Sequence, residues 1–362
     1  MIRRQSHWLL ALVSCLLVAP LQAQKPPTDL TDLDIEEILS LHINRETFER
    51  WNVGYRFLYA SFDGYRDGTD DLDLRTEVLG PPPQGKFPVT PTVITQHAHL
   101  LELSYSATQE LSFGLQLPFI RQSSDHESIV VTEVDGIVYD FSEFNITSSG
   151  LGDISLSTSY LAWRQKDRHL LVSVGINMPT GSIDELGPTP RDPPNDTLLP
   201  FTMQLGSGTW DLAPALAYSG RSGKLRWGLH TSATLRLGEN DRGYALGDRF
   251  SLSGSLSGKA RTWVEPFLRL SLQKTGRIDG VDEDLKVPLP NGMLIFPAPV
   301  TNPAFFGGEE IELRLGGKFR MGQGALKRLV INAEYGLPLY QSLNGPQPKE
   351  LGRFDLGWGW RF

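Results

Sequence analysis

Cysteine is nearly absent from the sequence. Its single copy, Cys15, lies in an amino-terminal segment that has two arginines at its start, an apolar run over residues 8–21 and a small residue, Ala23, at its end. These features predict a secretory signal peptide over residues 1–23, cleaved before Gln24. The mature chain would then have no thiol, which excludes disulfides and thiolate chemistry.

One alternative for the signal involves the same cysteine. Leu12-Val13-Ser14-Cys15 resembles a bacterial lipobox, in which Cys15 would become an acylated amino terminus. The apolar run continues beyond Cys15 as LLVAPLQA, whereas a lipoprotein linker is usually polar. This continuation favours cleavage after Ala23.

Long hydrophobic runs are missing beyond residue 23. No apolar stretch there approaches the length of about 18 residues that a membrane helix requires. Strands of a membrane barrel would escape this test, because only every second residue in them is apolar.

Positive charge is in deficit. The 34 basic residues are outnumbered by 42 acidic ones, and the net charge of −8 becomes −10 when the two arginines of the signal are removed. This balance argues against nucleic acid as a partner. The sequence also gives no reason to expect a cofactor.

Residues 24–48 have a character of their own. Thr31 precedes Asp34 by three positions, as in a capping box, and apolar residues with helical spacing follow the same stretch: Leu30, Leu33, Ile38 and Leu41. We expect a short acidic helix or a flexible arm in the periplasm, ahead of a membrane domain over residues 49–362. The role of this arm is left open by the sequence.

Alternation of apolar and polar residues is what the sequence has in abundance. Trp51, Val53 and Tyr55 share one face of an extended chain, whereas Asn52 and Gly54 share the other. Twelve segments follow this period of two. They are 51–59, 95–106, 111–119, 154–160, 170–178, 210–218, 225–237, 250–256, 264–272, 311–319, 329–337 and 354–362.

The connections between these strands alternate in length. Short ones fall near 107–110, 164–168, 219–223, 259–262 and 322–327, and long ones near 62–94, 121–149, 180–200, 238–247, 276–308 and 338–349. An outer-membrane barrel of about twelve antiparallel strands has this pattern, with short periplasmic turns and long external loops. We therefore predict an all-β transmembrane barrel in the bacterial outer membrane.

A soluble β-sandwich is the alternative fold. It accounts for the period of two, but not for the asymmetry of the connections or for charges along the whole face opposite the apolar one. The chain also ends in FDLGWGWRF. We interpret this as a closing strand whose aromatic residues face lipid and form the signal read by the barrel-assembly machinery: Phe354, Trp358, Trp360 and Phe362.

Charged residues on the inner face would line a watery lumen. The lumen candidates are Arg226, Arg269, Arg314, Glu265, Asp211 and Lys318. Their mixed signs predict weak ion selectivity if the lumen is open, or a closed interior filled by salt bridges.

The loop PLPNGMLIFPAPVTNPAFFGG, residues 288–308, is unusually apolar for an external loop. Phe296, Phe305 and Phe306 could fold into the barrel mouth as a constriction or docking site, or could pack against neighbouring loops. Both arrangements are open at this point.

Three further groups are candidates for chemistry. His97 and His99 share a face, but one that we assign to the outer membrane interface, and no metal site is inferred from them. The acidic loops at 63–74 and 279–285 could bind divalent cations, for example as bridges to surface lipid. A lipase would need a serine near a histidine, and His230 with Ser232 is the inward pairing that can be named.

Several short stretches resemble the outer-membrane family of the MetA pathway of phenol degradation, which is related to the fatty-acid channels. They are GLGDISL (150–156), MPTG (178–181), GSGTWDL (206–212), GDRFSL (247–252) and LPLYQSLNGPQ (337–347). The resemblance implies a transporter of small, hydrophobic compounds and supplies no catalytic residues. The first 94 residues do not carry it.

The favoured function is passive passage of a small solute across the outer membrane, without catalysis. The alternatives are a non-conducting structural or partner-binding barrel and, less favoured, an outer-membrane lipase. Expected partners are membrane lipids, the assembly machinery and the solute itself.

Overall fold

A computed structural model describes residues 50–80, 86–131, 139–321, 326 and 328–362. The predicted signal peptide with Cys15 and the predicted acidic arm lie outside these described residues. No helix in the described part of the chain is long and apolar enough to cross a membrane.

Strands make up most of the described chain. Those that build the wall are β1 (Trp51–Gly68), β3 (Val89–Ser106), β4 (Leu111–Val131), β5 (Tyr139–Leu151), β6 (Ile154–Gln165), β7 (Arg168–Met178), β10 (Asp211–Ser222), β11 (Leu225–Arg236), β13 (Arg249–Gly258), β14 (Val264–Thr275), β18 (Gly308–Arg320) and β19 (Leu329–Arg361). Shorter loop strands are β2 (Asp70–Leu72), β8 (Leu186–Pro188), β9 (Asp196–Leu198), β12 (Tyr244–Ala245), β15 (Asp279–Gly280), β16 (Val287–Pro288) and β17 (Leu294–Ile295).

The remaining elements are single helical turns within the loops. A π-turn covers Leu74–Val78, and 3-10 turns cover Phe201–Met203, Glu283–Leu285, Pro299–Thr301 and Pro303–Phe305. Each of the last two begins with a proline, whose fixed φ suits the first position of a helical turn.

The antiparallel sheet closes on itself. Hydrogen-bonded neighbours run in the order β1, β3, β4, β6, β7, β10, β11, β13, β14, β18, β19, and β19 pairs again with β1, so eleven strands form the ring. β2 and β5 lie outside the ring, and β5 continues the wall beyond β6 by pairing with the second half of β4. Closure leaves no unpaired edge in the lipid, where an unsatisfied backbone group is costly. The predicted transmembrane barrel is confirmed.

The last strand, β19, crosses the wall twice. Its 33 residues pair with β18 over 330–343 and with β1 over 343–361. The two halves lie against each other, because Gln341 Nε2 donates to the carbonyl of Glu350 at 3.0 Å. The reversal includes Gly345, whose φ of 66° suits glycine. The ring of eleven strands thus makes twelve crossings, the number predicted.

Three of the predicted long connections are partly strand. β1 continues to Gly68, the 338–349 segment is a hairpin within β19, and β4 extends to Val131 with β5 as its partner. β5 and β6 pair with successive parts of β4 and are separated only at Gly152 and Asp153. These ladders extend beyond the lipid, where polar residues occupy both faces and hide the alternation.

The two faces of the wall differ as predicted. Exposed leucines and aromatic residues cover the outside, whereas the inside holds buried polar and charged side chains. Near the periplasmic turns the outer face carries aromatic pairs, with ring centres 4.7 Å apart for Trp51 and Tyr105 and 5.1 Å for Tyr218 and Trp227. This is the aromatic girdle of a membrane barrel.

The final segment closes the ring against the first strand. Phe362 N donates to Trp51 O at 2.9 Å and Trp51 N donates to Phe362 O at 3.0 Å. Trp358 lies opposite Tyr55 on the outer face, with ring centres 6.4 Å apart. The aromatic final segment therefore closes the ring by pairing with β1. Its role as an assembly signal stays a prediction.

Candidate functional site

One half of the inner wall, from β10 round to β1, carries charges that pair with one another. The buried carboxylate of Glu265 in β14 accepts hydrogen bonds from Arg226 Nη1 at 3.1 Å, Arg320 Nη1 at 2.8 Å and Ser257 Oγ at 2.9 Å. Two guanidinium groups from different strands thus share one carboxylate.

A second shared carboxylate belongs to Glu334. Its Oε1 lies 3.0 Å from Arg314 Nη1 and 3.6 Å from Arg269 Nη1. Arg269 and Arg314 are directly opposite each other on β14 and β18, so Glu334 separates two like charges that would otherwise repel. Arg314 also donates to Glu312 at 2.7 Å.

The remaining lumen candidates also face inward. Asp211 forms an ion pair with Arg236, and the ammonium of Lys318 lies 5.9 Å from the centre of the Phe267 ring. All six predicted lumen residues therefore lie on the inner face, with opposite charges at matching heights. Their part in transport stays a prediction.

The other half of the inner wall, from β3 round to β7, is mostly neutral. Hydroxyl and amide side chains dominate it, some bonded to each other, as Ser159 Oγ is to Ser173 Oγ at 2.8 Å. Its buried polar members are Gln96, Ser112, Gln116, Gln122, Ser124, Ser128, Ser148, Ser155, Ser157, Ser159 and Ser173. Sequence reasoning missed this wall because it looked only for charges, although serine recurs at every second position of SLSTS, residues 155–159.

Apolar side chains lie on the inner wall where the two halves meet. The inner faces of β1 and β3 contribute one buried cluster: Leu58, Ala60, Phe62, Ile94, Ala98 and Leu100. The interior is thus two-sided, with ion pairs along one arc and neutral polar or apolar groups along the other.

The external loops meet above the lumen in a buried apolar cluster, called here the cap. Its core is Phe201, Tyr244, Ile278, Leu285, Ala298, Val300 and Phe306, with Val89, Leu198 and Leu246 packed against it. These residues come from connections on opposite arcs of the ring, so the cap extends across the mouth. Phe306 lies at its centre, with its ring 5.5 Å from that of Phe201.

Phe296 and Phe305 pack elsewhere. They contact a second cluster formed by Tyr65, Val78 and Phe87, and the rings of Phe305 and Phe87 lie edge to face at 5.8 Å. The loop over 288–308 therefore packs against neighbouring loops, and through Phe306 it also belongs to the cap. Burial raises the pKa of Tyr65 well above its ordinary value.

A single arginine connects three of the loops. Arg242, from the loop after β11, donates to Asp282 at 2.6 Å and 3.1 Å, to Asp184 at 2.9 Å and to Asp284 at 2.9 Å. The hydrogen bonds to Asp282 raise the pKa of Arg242 further above its ordinary value. The guanidinium thus latches the loops that carry the cap.

The predicted acidic cation sites are neutralised from within the chain. Asp282 and Asp284 bind Arg242, and Glu283 pairs with Lys286 at 2.7 Å. In the other loop, hydrogen bonds donated by Lys349 and Arg66 lower the pKa of Asp71. Cation binding at these loops stays a prediction.

Another group of carboxylates converges inside the barrel. In the part of the chain that the structure describes, the acidic side chains close enough to share a metal ion are Glu310, Glu312 and Glu350. Arg353 pairs with two of them, at 2.7 Å from Glu350 and 3.3 Å from Glu312. Basic side chains thus compete here for the oxygens that a cation would need.

The three histidines lie on the faces that the sequence predicts, but His230 has a serine neighbour other than Ser232. His97 and His99 lie on the outer face, where Tyr55 Oη and His99 Nδ1 are 2.7 Å apart. His230 faces inward, and the register places it opposite Ser253 of β13.

Short sequence motifs meet where the strands join the loops. Asp153 accepts hydrogen bonds from Gly181 N at 2.9 Å and from Ser207 N and Oγ, both at 2.7 Å. Asn344 Nδ2 donates to the carbonyl of Phe306 at 2.8 Å. The stretches GLGDISL, MPTG, GSGTWDL and LPLYQSLNGPQ, which are far apart in sequence, therefore brace one rim beneath the cap.

Comparison with known proteins agrees with this picture. The model of the family described as MetA-pathway of phenol degradation matches residues 84–276, more than half of the chain. Among curated proteins, no sequence matches.

Solved structures include similar barrels at low sequence identity. The crystal structure of an outer membrane channel from Pseudomonas putida F1 has a TM-score of 0.52 and 15% identity, with 88% of this chain and 100% of that chain covered. A FadL homologue from Pseudomonas aeruginosa has a TM-score of 0.41 and 10% identity over 89% and 92% of the two chains. The toluene transporter TodX from P. putida has 0.39 and 9% over 89% and 92%. Only the first score supports the shared fold.

Proposed function

Since the chain belongs to the family of the MetA-pathway of phenol degradation, we propose that it is an outer-membrane channel through which a small solute diffuses passively. The observation that carries the proposal is the polar interior of a ring that lipid surrounds. Charged and hydroxyl side chains inside such a ring are hydrated when the lumen contains water, and a polar, water-filled interior is typical of a channel. Hydrophobic compounds are the first class of solute to test, since the inner wall carries the apolar cluster that includes Leu58, Phe62 and Ile94.

The cap supplies the closed state of this channel. Its apolar core joins loops from opposite arcs, and Arg242 holds three of those loops together. Passage of solute then requires the cap to loosen while the wall keeps its shape. The proposal needs no catalytic step.

The second candidate is a non-conducting barrel that holds a partner or part of the envelope. The paired charges of the lumen favour it, because Glu265 and Glu334 each form ion pairs with two arginines of nearby strands. The neutral wall distinguishes the two candidates, since salt bridges do not fill that arc.

Two proposals on partners accompany the function. Trp358, Trp360 and Phe362, with Phe354, are proposed to be read by the barrel-assembly machinery as the last strand is made. Divalent cations are proposed to compete with Lys349 and Arg66 for Asp71 at the loop surface.

Single-channel conductance in a planar bilayer tests the function. The mature protein is compared with a variant in which residues 289–300 are replaced by a glycine–serine segment of equal length. A matched control replaces residues 192–195 of an exposed loop tip in the same way and keeps Arg191, which donates to the carbonyls of Asp284 and Lys286. Folding of each protein is checked by heat-dependent migration on a gel.

Conductance steps that grow with the first replacement and not with the control are the expected result. They would establish a pore closed by the cap. Folded protein that passes no current in any of the three forms would leave the non-conducting barrel.

A further inference from the structure

The neutral wall holds hydrogen-bonding atoms that the chain itself does not use. Gln96, Gln122 and Ser148 lie on one rung across β3, β4 and β5, and Ser124 lies one inward-facing position further along β4. Within the described residues, no hydrogen bond is made by Gln96 Oε1, Ser124 Oγ or Ser148 Oγ, although each atom is buried. Such atoms are rare in native proteins, because an unpaired buried polar atom is unfavourable.

The local bonds fix how these atoms point. Gln96 Nε2 donates to Gln122 Oε1 at 2.6 Å, and Gln122 Nε2 donates to the carbonyl of Gln204 at 3.0 Å. Neither amide can be rotated by 180° without losing its hydrogen bond, so Gln96 Oε1 remains as a buried acceptor that no described residue uses. The two serine hydroxyls can each donate or accept.

Apolar surface lies directly beside these atoms. Ile94 and Ile146 flank Ser124 on the neighbouring strands, and Ala98 and Leu100 follow Gln96 along β3. All four are buried, and Ile146 packs against Leu199 and Met203 of the loop between β9 and β10. A molecule held here would find both hydrogen-bond partners and apolar contact within one or two rungs.

Among the described residues, the inner faces of β3 and β4 offer few counter-charges for an ionic solute along this stretch. The inward titratable groups on these two strands are His126, stacked on Phe144, and Glu102, which pairs with Arg56. Across the lumen, the arginines are held by Glu265, Glu312 and Glu334. A charged solute would therefore lose hydration here without gaining an opposite charge.

We propose that the solute of this channel is an uncharged molecule with an apolar body and at least one hydroxyl or carbonyl group, and that it passes along the wall formed by Gln96, Ser124 and Ser148. This inference rests on the proposed function and specifies its solute. The apolar body packs beside Ile94, and beside Ile146 once Leu199 and Met203 move away with the cap, while the polar group binds Gln96 Oε1 or one of the serine hydroxyls. Ions use the opposite arc or do not pass.

Cysteine chemistry gives a direct test, because Cys15 is the chain's single cysteine. In a Cys15→Ser background, Ser124→Cys places one thiol in the neutral wall. Ser257→Cys places one beside Glu265, on the charged arc, as the matched control. Each variant is treated with methanethiosulfonates of similar size that carry a hydroxyl, a trimethylammonium or a sulfonate, and rates are normalised to those of a free thiol.

The expected result is a rate at Ser124→Cys that is about tenfold higher for the hydroxyl reagent than for either ion, with no such preference at Ser257→Cys. Adding Gln96→Leu and Ser148→Ala should lower the hydroxyl rate roughly tenfold, as expected for two lost hydrogen bonds of ordinary strength. Equal rates for the three reagents at Ser124→Cys would overturn the proposal, as would faster reaction with an ion or no reaction at all.

Conductance of the same variants distinguishes failure of the proposed solute class from failure of the proposed channel. Current through the protein together with no preference for the neutral reagent would reject the solute class and leave the channel standing. Folded variants that pass no current even when residues 289–300 are replaced as above would reject the channel itself.

Discussion

Arg242 and Asp282 face each other through two hydrogen bonds, Nε to Oδ2 at 2.6 Å and Nη2 to Oδ1 at 3.1 Å. Asp282 is buried, whereas the other two carboxylates on this arginine, Asp184 and Asp284, are exposed. The paired geometry therefore fixes the arginine to the loop after β14, where Asp284 also binds it, and Asp184 attaches the loop after β7.

Removal of this arginine should release the cap. Arg242→Ala leaves the buried Asp282 without its cation, which costs about 3 kcal/mol or more. We expect faster proteolysis of the loop over residues 276–308 and larger conductance steps. Lys286→Ala is the milder change, because it removes an ion pair with the exposed Glu283 and a cation–π contact with the Phe296 ring at 5.3 Å, each contributing about 1 kcal/mol or less. Equal proteolysis rates in Arg242→Ala and the unaltered protein would contradict the latch.

The extension of β4 and β5 beyond the membrane should weaken in acid. Burial lowers the pKa of His126 from 6.5 to about 4, and its ring stacks on Phe144 at 4.9 Å. The folded form resists protonation, so the stability that His126 contributes is present above about pH 6.5 and is lost as the pH falls toward 4. A shift of this size corresponds to ~3 kcal/mol.

Protection factors of the hairpin, which correct the measured hydrogen-exchange rates for the intrinsic rate at each pH, measure this loss between pH 7 and pH 4. The protection factors of His126→Phe, which keeps an aromatic ring against Phe144, should change little in that range. Equal protection factors at both ends of the range in the unaltered protein would show that His126 has no such role.

The rim should tolerate no side chain at Gly206. A Cβ there would meet the carbonyl of Gly181 and lie 2.6 Å from Asp153 Oδ1, in the middle of the bonds that brace the rim. Overpacking of this kind typically costs about 1–3 kcal/mol. Gly206→Ala should therefore unfold at a lower temperature on heat-modification gels. Gly254→Ala is the control, because a Cβ at Gly254 would have no atom within 4 Å. Identical transitions in the two variants would disprove the close packing.

Much of the wall could be predicted from the sequence, because lipid imposes a period of two wherever it touches a strand. Leu115 and Leu117 of β4 show it clearly, and the same strand continues through Ser124 and His126 without it. Beyond the lipid neither face has to be apolar, so the register persists by backbone hydrogen bonding alone. Pattern reasoning therefore ended the strand at 119, twelve residues before Val131.

The side-chain contacts of the candidate site could be predicted less well from the sequence. Phe305 and Phe306 are neighbours in sequence, yet one packs against Phe87 and the other against Phe201, because the turn over Pro303–Phe305 directs them apart. Likewise the sequence shows that Arg269 and Arg314 are charged, but it does not show that Glu334 lies between them. That contact depends on the register among three strands, which a single sequence does not reveal.

The shared carboxylate of Glu334 gives the last prediction. Glu334→Gln removes the negative charge that lies between Arg269 and Arg314 and leaves Glu312 as the counter-charge of Arg314. The charged arc then gains one positive charge, so the reversal potential in a KCl gradient should shift toward anion preference. Glu309→Gln is the control, since Glu309 pairs with Lys274 on the outer face of the wall and its loss should leave selectivity unchanged. A shift of equal size in both variants would mean that the bulk charge of the protein, and not the lumen, sets the selectivity.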